Sequence, residues 1–314
     1  MKIIAISNPN SGNRDIKLLK DELIKGFAGH EFELFQTENP NHAIELAKNA
    51  VKLNPDVIVA AGGDGTVIEV ITGIIGSGIK LGIIPFGTGN MLALNLGIPN
   101  DVTKAISLVL NGKTRMVDIG KICFIKKQFQ LFKNKKLLNQ SLSEKCRYFA
   151  FMSGCGLDAK IIKETSREKK KKIGLYAYFL EGIRHALFTK SKNVIFKIKL
   201  DNKIKLKTRA LTVLIANSGN IMGDLITLAP NASISDGLLD LVVISPTSRR
   251  DYLSILLRIF SRKKPEKDEK IQYYQVKEIE IKAKPNVFIQ ADGDIIGKTP
   301  VRVSVIPSAI EVIS

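Results

Sequence analysis

The spacing of apolar residues divides the chain into two parts with different predicted secondary structure. Up to about residue 115, short β-branched runs alternate with longer stretches in which apolar residues recur at helical spacing. The short runs are Ile3–Ile6, Phe32–Phe35, Val57–Ala61 and Leu81–Ile84, and they are separated by stretches such as Asp15–Phe27 and His42–Leu53. This alternation predicts a parallel sheet with helices packed against it.

After about Val117 the apolar period shortens to nearly two, which predicts antiparallel strands. The predicted strands are Val117–Phe124, Val194–Leu200, Lys205–Ala216, Leu238–Ile244, Val276–Lys284 and Val287–Gln290. The segments Tyr176–Leu187 and Tyr252–Phe260 keep helical spacing and predict amphipathic helices. The polar segment Lys126–Lys145 predicts a long exposed hairpin or loop. We therefore expect an α/β domain followed by a mostly β domain.

The length and composition are consistent with that division. A chain of 314 residues with 45 % hydrophobic content favours two packed domains. Its longest apolar run, Ala210–Ala216, is broken only by Thr212 and is far shorter than the roughly 20 residues that a membrane-spanning helix needs. Lys2 precedes only a short apolar run, so we expect no secretory signal and a cytoplasmic protein. Cys123, Cys146 and Cys155 show no C-x-x-C spacing, and we expect three reduced thiols.

The net charge of +18 favours anionic partners. Nucleic acid and an anionic membrane surface both satisfy this condition. The chain has no Trp and few other aromatic residues, and it lacks the interleaved aromatic and basic residues of an RNA-binding sheet. We therefore expect contact with a membrane surface and not with nucleic acid.

A glycine-rich junction follows the third predicted strand. The strand leads directly into Gly62-Gly63-Asp64-Gly65-Thr66, and the helical pattern Val67–Ile75 begins next. Glycines let the backbone approach an anion, and the N–H groups and dipole of a helix start attract it, so the junction predicts phosphate binding. A carboxylate at Asp64 would repel phosphate unless a divalent cation lies between them, which indicates Mg²⁺. The alternative is an ordinary turn capped by Asp64.

Two further loops occupy equivalent positions. Asn8-Pro9-Asn10-Ser11-Gly12 follows the first strand, and Pro85-Phe86-Gly87-Thr88-Gly89-Asn90 follows the fourth. In open α/β sheets, ligands bind beyond the carboxyl ends of the strands, where such loops meet. The three loops together therefore predict a nucleotide site, although each alone is compatible with a simple turn.

These three motifs, in this order and spacing, resemble the nucleotide-site motifs of the diacylglycerol kinase catalytic-domain family, which includes bacterial diacylglycerol kinases and sphingosine kinase-like lipid kinases. The resemblance extends into the second part of the chain, so it spans almost the whole sequence. The matching segments there are Ser153–Ala159, Ala229–Ala232, Asp236–Asp240 and Asp292-Gly293-Asp294.

The resemblance implies a fold and an activity. It implies a nucleotide-binding α/β domain at residues 1–116, completed by residues 303–314, and an antiparallel β-sandwich at residues 117–302 that takes the lipid substrate. The active site would lie in the cleft between the two domains. The implied reaction is transfer of the γ-phosphoryl group of ATP to the free hydroxyl of a lipid, with diacylglycerol as the expected acceptor.

The resemblance also assigns roles to individual residues. Asp292 would be the general base for the lipid hydroxyl, and Asp64 would bind the catalytic Mg²⁺; the alternative for Asp292-Gly293 is a hairpin turn. A structural Mg²⁺ would be held by Ser233, Asp236 and Leu238, where an Asp-Gly turn is again the alternative. The implied ATP contacts are Asn8, Pro9, Asn10, Ser11, Gly12, Thr37, Gly62, Gly63, Asp64, Gly65, Thr66, Glu69, Gly87, Thr88, Asn90 and Asp294.

Two positions depart from the family pattern. Met91 stands where many members carry Asp, and Asp294 replaces the more usual Glu. Both changes could weaken the metal network or alter the choice of substrate. A non-catalytic nucleotide or lipid sensor is therefore kept as an alternative. A soluble-alcohol kinase of the NAD kinase type is a second alternative, because such kinases share the Gly62–Thr66 loop.

Basic residues flank both predicted amphipathic helices. Lys169–Lys172 precede the first helix, and Arg249, Arg250 and residues 262–264 flank the second. Basic charge beside an apolar face is typical of peripheral binding to an anionic bilayer, and the alternative is a helix packed on the sandwich with a solvated flank. The sequence leaves the identity of the lipid and the oligomeric state open, with a homodimer among the possibilities.

Overall fold

The structure of the protein is a computed structural model. It describes residues 1–12, 16–125, 146–164, 194–221, 226–227, 229, 232–248, 250–251, 254–255 and 270–314. The predicted helix Tyr176–Leu187, most of Tyr252–Phe260 and the predicted loop Lys126–Lys145 lie outside the described residues.

The N-terminal part is an α/β unit in which strands and helices alternate, as the apolar pattern predicts. The strands β1, β3 and β4 are almost fully buried, because their apolar runs are covered on both faces. The elements are β1 Lys2–Ser7, α1 Ile16–Gly26, β2 Glu31–Gln36, α2 His42–Val51, β3 Val57–Gly62, α3 Asp64–Ile74, β4 Lys80–Pro85, α4 Met91–Asn95 and α5 Val102–Asn111.

The strands of this unit form a parallel sheet in the order β2-β1-β3-β4. Helix α1 packs against α5, and α2 packs against α3. The α2–α3 contact is close, since a Cβ added at Gly73 would lie 2.5 Å from the Cβ of Ala47. Parallel order brings the carboxyl ends of β1, β3 and β4 to one edge of the sheet, where the three glycine-rich loops begin.

The remaining described elements are strands, with one helix. They are β5 Thr114–Phe124, β6 Cys146–Phe149, β7 Met152–Gly156, α6 Leu157–Glu164, β8 Val194–Leu200, β9 Ile204–Ala210, β10 Thr212–Ala216, β11 Asn220–Ile221, β12 Ile226–Thr227, β13 Leu239–Ile244, β14 Ile271–Val276, β15 Glu278–Lys284, β16 Phe288–Ala291, β17 Asp294–Lys298 and β18 Val301–Ile313.

Two antiparallel layers form a sandwich in this second part. One layer has the order β14-β13-β10-β7-β16-β17, and the other comprises β9, β8, β15, β18, β5 and β6. Alternate residues of both layers point into a shared apolar core that includes Phe196, Val213, Leu241, Ile281 and Val303. The expected combination of an α/β unit and an antiparallel β-sandwich is thus confirmed.

Strand β18 connects the two parts of the molecule. Its first residues pair with β15, and Val312 near its end pairs in parallel with Leu81 of β4. An irregularity between Ile306 and Ile310 redirects the strand between these two partners. The ten-stranded sheet therefore runs continuously from β2 to β9. The exact domain boundaries given above remain a prediction.

Two predicted strands are each divided in the structure. The predicted strand Lys205–Ala216 breaks at Leu211 into β9 and β10, which belong to different layers. The predicted strand Val276–Lys284 likewise breaks at Lys277 between β14 and β15. The apolar alternation continues through both breaks, because the chain passes from one layer to the other while still facing the same core.

The expectation of three reduced thiols is wrong for two of them. Cys123 and Cys146 form a disulfide, and only Cys155 of the three is free and buried. The two bonded residues lie directly opposite each other on β5 and β6, with their Cα atoms 4.1 Å apart. Pairing between strands that are distant in sequence creates this contact, so the cysteine spacing gave no sign of it.

Among the described residues, no helix has both the length and the apolar character needed to cross a bilayer.

Candidate active site

Side chains of the first loop join it to the Gly62–Thr66 turn. The Asn8 amide donates to the Thr66 hydroxyl at 3.2 Å, and the Ser11 hydroxyl accepts from the backbone N–H of Gly63 at 3.4 Å. Asn8 also accepts from the N–H of Asn10 at 2.9 Å, which shapes the loop and leaves Pro9 and Asn10 exposed. The loops after β1 and β3 therefore form one surface.

Glycines let the third loop approach the other two. A Cβ added at Gly87 would lie 2.5 Å from the Cα of Gly63, a distance that real Cβ atoms do not reach. Gly12 has a φ of 68°, and a Cβ there would lie 2.4 Å from the carbonyl oxygen of Phe86. Backbone thus packs directly on backbone at both contacts, which explains why these positions require glycine.

Asn90 closes the third loop. Its side-chain oxygen accepts from the N–H of Gly87 at 2.9 Å, and its amide donates to the Gly87 carbonyl at 3.0 Å. Its backbone is left-handed, with a φ of 50°, a conformation that Asn tolerates better than most residues. Thr88 remains exposed at the outer end of the loop, so it is available to a ligand.

Asp64 begins α3 and turns its carboxylate toward the start of α4. One carboxylate oxygen accepts from the backbone N–H of Leu92 at 3.3 Å, and the N–H groups of Met91 and Asn90 also contribute. Burial raises the pKa of Asp64, although these hydrogen bonds oppose the rise. Met91 acts here through its backbone, so the departure from Asp at this position leaves the contact to Asp64 in place.

Asp292 lies at the end of β16 with a left-handed φ of 45°. Its carboxylate accepts three backbone N–H groups, from Ala150 at 2.7 Å and from Phe151 and Met152 at 2.9 Å each. Burial raises the pKa of Asp292 to about 6; the three N–H bonds oppose this rise, and the negative charge of Asp64 makes a smaller contribution to it. The two carboxylates, one from each part of the molecule, are therefore near enough for their charges to interact.

A buried glutamine positions the turn that carries Asp292. The side-chain oxygen of Gln290 accepts from the N–H of Gly293 at 2.9 Å, and its amide donates to the Asp158 carboxylate at 3.3 Å. Thr212 donates to the other oxygen of Asp158 at 2.7 Å. Sequence analysis missed Gln290; the available signal was a polar residue within an apolar strand, two residues before Asp-Gly.

Glu69 and Asp294 lie near enough for the charge of Asp294 to affect Glu69. Glu69 accepts from the N–H groups of Asn41 at 3.0 Å and Ala43 at 3.3 Å, which join α3 to the start of α2. Burial raises the pKa of Glu69, and the charge of Asp294 adds to the rise. Thr37 is buried beyond β2, and its N–H donates to the Ser7 carbonyl. These predicted ATP contacts thus border the same edge of the sheet.

The predicted structural metal site takes the form of a turn. Asp236 is exposed and accepts from the N–H of Leu238 at 2.9 Å, the arrangement of an Asp-Gly turn. The buried carboxylate of Asp118, which sequence analysis missed, accepts from Gly237 at 2.6 Å and from Ser308 at 2.7 Å. Nothing in the residue pattern around Asp118 marked it, because both donors are distant in sequence.

The predicted structural metal site offers oxygen donors, which suit a hard cation. Burial raises the pKa of Asp240 to about 6, and the charge of Asp236 contributes to the rise. A bound cation would offset this accumulation of negative charge. No group of three or more His, Cys, Asp or Glu side chains in metal-binding proximity occurs among the described residues, so backbone oxygens or solvent would have to complete a site. The metal role of Ser233, Asp236 and Leu238 stays a prediction.

Comparison with known proteins identifies the family. The family model described as "Diacylglycerol kinase catalytic domain" matches residues 2–122, and the model described as "YegS C-terminal NAD kinase beta sandwich-like domain" matches residues 152–314. A diacylglycerol kinase of Staphylococcus aureus is 31 % identical over 299 residues, covering 94 % of this chain and 86 % of that protein.

Solved structures agree on the fold. A crystal structure of a diacylglycerol kinase from Bacillus anthracis covers 99 % of this chain and 96 % of its own, with a TM-score of 0.71 and 20 % identity. Yeast NADH kinase complexed with NADH is more distant, with a TM-score of 0.54 and 13 % identity over 98 % of this chain and 78 % of its own. On the combined family models and sequence identity, the chain belongs to the diacylglycerol kinase family, whose membership implies lipid kinase activity with ATP as the phosphoryl donor.

Proposed function

We propose that this protein transfers the γ-phosphoryl group of ATP to the hydroxyl of diacylglycerol and releases phosphatidic acid and ADP. The observation that carries the proposal is that the buried carboxylate of Asp292, from the β-sandwich, lies near enough to Asp64, from the α/β part, for the two charges to interact. Phosphoryl transfer to an alcohol needs a proton acceptor and a cation-binding carboxylate at one place. The names of the relatives support diacylglycerol as the acceptor.

The ATP phosphates bind over the three joined loops. Backbone N–H groups of the Gly62–Thr66 turn and of the start of α3 provide the partial positive charge that attracts the phosphates. The close packing of Gly87 on Gly63 holds the backbone of these two loops together, so that both can face the phosphates. The remaining proposed contacts lie around these loops and are Asn8, Pro9, Asn10, Ser11, Gly12, Thr37, Glu69, Thr88, Asn90 and Asp294.

Asp292 is the proposed general base. The lipid hydroxyl oxygen attacks the γ-phosphorus, an O–P bond forms, the bond to the β–γ bridging oxygen breaks, and Asp292 accepts the hydroxyl proton. Three N–H donors hold the carboxylate in one orientation. A pKa of about 6 makes it a stronger base than an exposed carboxylate, yet leaves it ionised at neutral pH.

Mg²⁺ fits the donor chemistry of this site. Asp64 offers carboxylate oxygens beside the loops proposed to hold phosphates, and Mg²⁺ is commonly held by one or two carboxylates together with substrate phosphates. When bound, the ion neutralises the charge that develops on the transferred group. A second Mg²⁺ would bind Asp236 with the backbone carbonyls of Ser233 and Leu238, where its role is structural.

The acceptor lipid lies in a membrane, so we infer peripheral contact with an anionic membrane on the cytoplasmic side. The net charge of +18 supports this inference. The basic residues around the two predicted amphipathic helices lie largely outside the described part of the chain. A homodimer is the proposed alternative to a monomer, and light scattering after size exclusion distinguishes the two.

Transfer of labelled γ-phosphate from ATP to a panel of lipids in mixed micelles, with and without Mg²⁺, tests the proposal. We expect labelled phosphatidic acid from diacylglycerol, and product formation that requires the metal ion. Labelled product from a sphingoid base or undecaprenol would show that this lipid, and not diacylglycerol, is the acceptor. Labelled NADP from NAD would favour a soluble-alcohol kinase, and ATP binding without any product would favour a sensor.

A further inference from the structure

The outer face of the sandwich layer formed by β9, β8, β15, β18 and β5 is strongly basic. Alternation along each strand buries one set of residues, such as Phe196 and Ile198 of β8, and turns the other set outward, such as Lys197. We call the outward set the basic face. Its cations are Lys121, Lys197, Lys199, Lys205, Lys207, Arg209, Lys282, Lys284 and Arg302.

The strand register places like charges directly beside each other. Lys207, Lys197 and Lys282 lie opposite one another across β9, β8 and β15. In the adjacent row, Lys205 lies opposite Lys199. Like charges directly opposite on antiparallel strands destabilise a sheet, so this arrangement reduces the stability of the isolated protein.

Carboxylates on the face compensate for part of this charge. Among the described residues, the outward carboxylates on the part of these strands that forms the sandwich layer are Glu278 and Glu280. Glu280 pairs with Lys282 at 2.6 Å, and Lys199 and Arg302 also lower the pKa of Glu280. Two carboxylates shared among several cations leave a large positive excess on the face.

Protection of a sheet edge explains only part of the pattern. Exposed lysines on an edge strand hinder pairing with another chain, and β9 is an edge strand of this sheet. Strands β8 and β15, however, are paired on both sides and need no such protection. The cations on these interior strands therefore call for a different reason.

We propose that the basic face is the surface with which this protein docks on an anionic lipid bilayer. The charge of the face complements that of the bilayer, and five adjacent strands span roughly 20 Å, so several lysines reach one lipid surface together. No aromatic ring among its described residues is exposed, so it offers no stacking platform for bases. The inference rests on the proposed membrane lipid as the acceptor.

The test replaces cations of the face by neutral residues. The variant carries Lys197→Gln, Lys199→Gln, Lys205→Gln and Lys207→Gln, the four lysines of the two opposed pairs. A matched control carries the same change at four exposed lysines on helices of the α/β part: Lys20, Lys25, Lys48 and Lys104. Both variants lose the same net charge, so a difference in vesicle binding between them must come from the position of the lysines.

Binding is measured by sedimentation with vesicles of equal parts phosphatidylglycerol and phosphatidylcholine, at low and high salt. A lysine at an anionic surface contributes about fivefold to binding, so we expect the four substitutions to weaken it by on the order of 100-fold or more. The control variant should retain most of its binding. The melting temperature should change little, since the substitutions remove both the repulsion between opposed lysines and the attraction of Lys199 to Glu280.

Unchanged vesicle binding by the four-lysine variant would overturn the proposal, and so would an equal loss in the control variant, which would indicate a bulk charge effect. A loss of affinity for single-stranded RNA with vesicle binding intact would assign the face to nucleic acid instead. Vesicle binding requires no turnover, so the outcome is independent of whether diacylglycerol is the acceptor. Turnover of a short-chain diacylglycerol in micelles, measured on the same variant, tests the catalytic proposal separately.

Discussion

Replacing Asp292 by Asn removes the proposed proton acceptor with little change in shape. Asn tolerates the left-handed backbone of this position, where φ is 45°. Its amide oxygen can keep the bonds from Phe151 and Met152, each 2.9 Å in the native protein. Its NH₂ group then faces the N–H of Ala150, which donates to the native carboxylate at 2.7 Å, so one hydrogen bond is lost.

Two effects on stability oppose each other in this variant. Raising the pKa of Asp292 from 3.8 to about 6 corresponds to roughly 3 kcal/mol of unfavourable burial at neutral pH, which a neutral Asn avoids. The N–H left without a partner costs about 1–3 kcal/mol. The free energy of unfolding should therefore change by no more than about 2 kcal/mol.

The sign of the pH dependence of stability provides a further check. The folded protein holds the Asp292 proton more tightly than the unfolded chain, because the folded pKa is raised to about 6. The stabilising contribution of this group is present at low pH and is lost as the pH rises from about 4 to about 6. Unfolding of the Asn variant by denaturant should lack this component.

The effect on catalysis should be much larger than the effect on folding. A positioned general base contributes about 10²- to 10⁴-fold to rate, so we expect transfer to diacylglycerol to fall by at least about 100-fold. ATP affinity should stay within about threefold of the native value or increase, because the substitution removes a negative charge near the phosphates.

The assay follows labelled γ-phosphate into phosphatidic acid in mixed micelles and is paired with an ATP-binding titration and a melting curve. Asp21→Asn is the matched control, since this carboxylate is exposed on α1 and should leave all three measurements unchanged. Turnover within about threefold of the native rate in a folded Asp292→Asn variant would refute the role of Asp292 as base.

Four further predictions test other parts of the site. In the native enzyme, kcat/KM should fall about tenfold for each pH unit below about 6, because protonated Asp292 accepts no proton; a profile that is flat down to about pH 5 would contradict this. Gly87→Ala should weaken ATP binding at least about tenfold in a titration, since the new Cβ would lie 2.5 Å from the Cα of Gly63; an unchanged Kd would show that the loops tolerate separation. Gln290→Leu should lower kcat about tenfold or more with ATP affinity unchanged, because the turn carrying the proposed base loses its support; equal effects on kcat and on ATP affinity would indicate a general disturbance of the site. Asp118→Asn should lower the free energy of unfolding by about 2–4 kcal/mol in urea, because its buried carboxylate accepts two backbone N–H groups; a change below about 0.5 kcal/mol would mean that the segment is held by other contacts.

The sequence by itself determined the N-terminal α/β architecture closely. The predicted runs Ile3–Ile6 and Val57–Ala61 lie within β1 and β3. Fully buried parallel strands need continuous apolar segments, and such segments can be recognised from a few neighbouring residues of the sequence. The three glycine-rich loops could also be predicted from the sequence, since their residue types and their positions at strand ends are features of short segments. The meeting of these loops at one edge followed from the parallel order of the strands.

Only the tertiary structure decided which distant residues meet. Asp292 receives N–H groups from residues about 140 positions earlier, and the Cys123–Cys146 pairing depends on the register of β5 and β6. The break at Leu211 divides one continuous apolar pattern between two layers. The alternation of apolar and polar residues indicates which residues face the core. It does not indicate which layer a strand belongs to, because both layers face the same core. The position of the proposed base Asp292, its N–H donors and Gln290 therefore depends on long-range strand pairing, which the local sequence pattern does not encode.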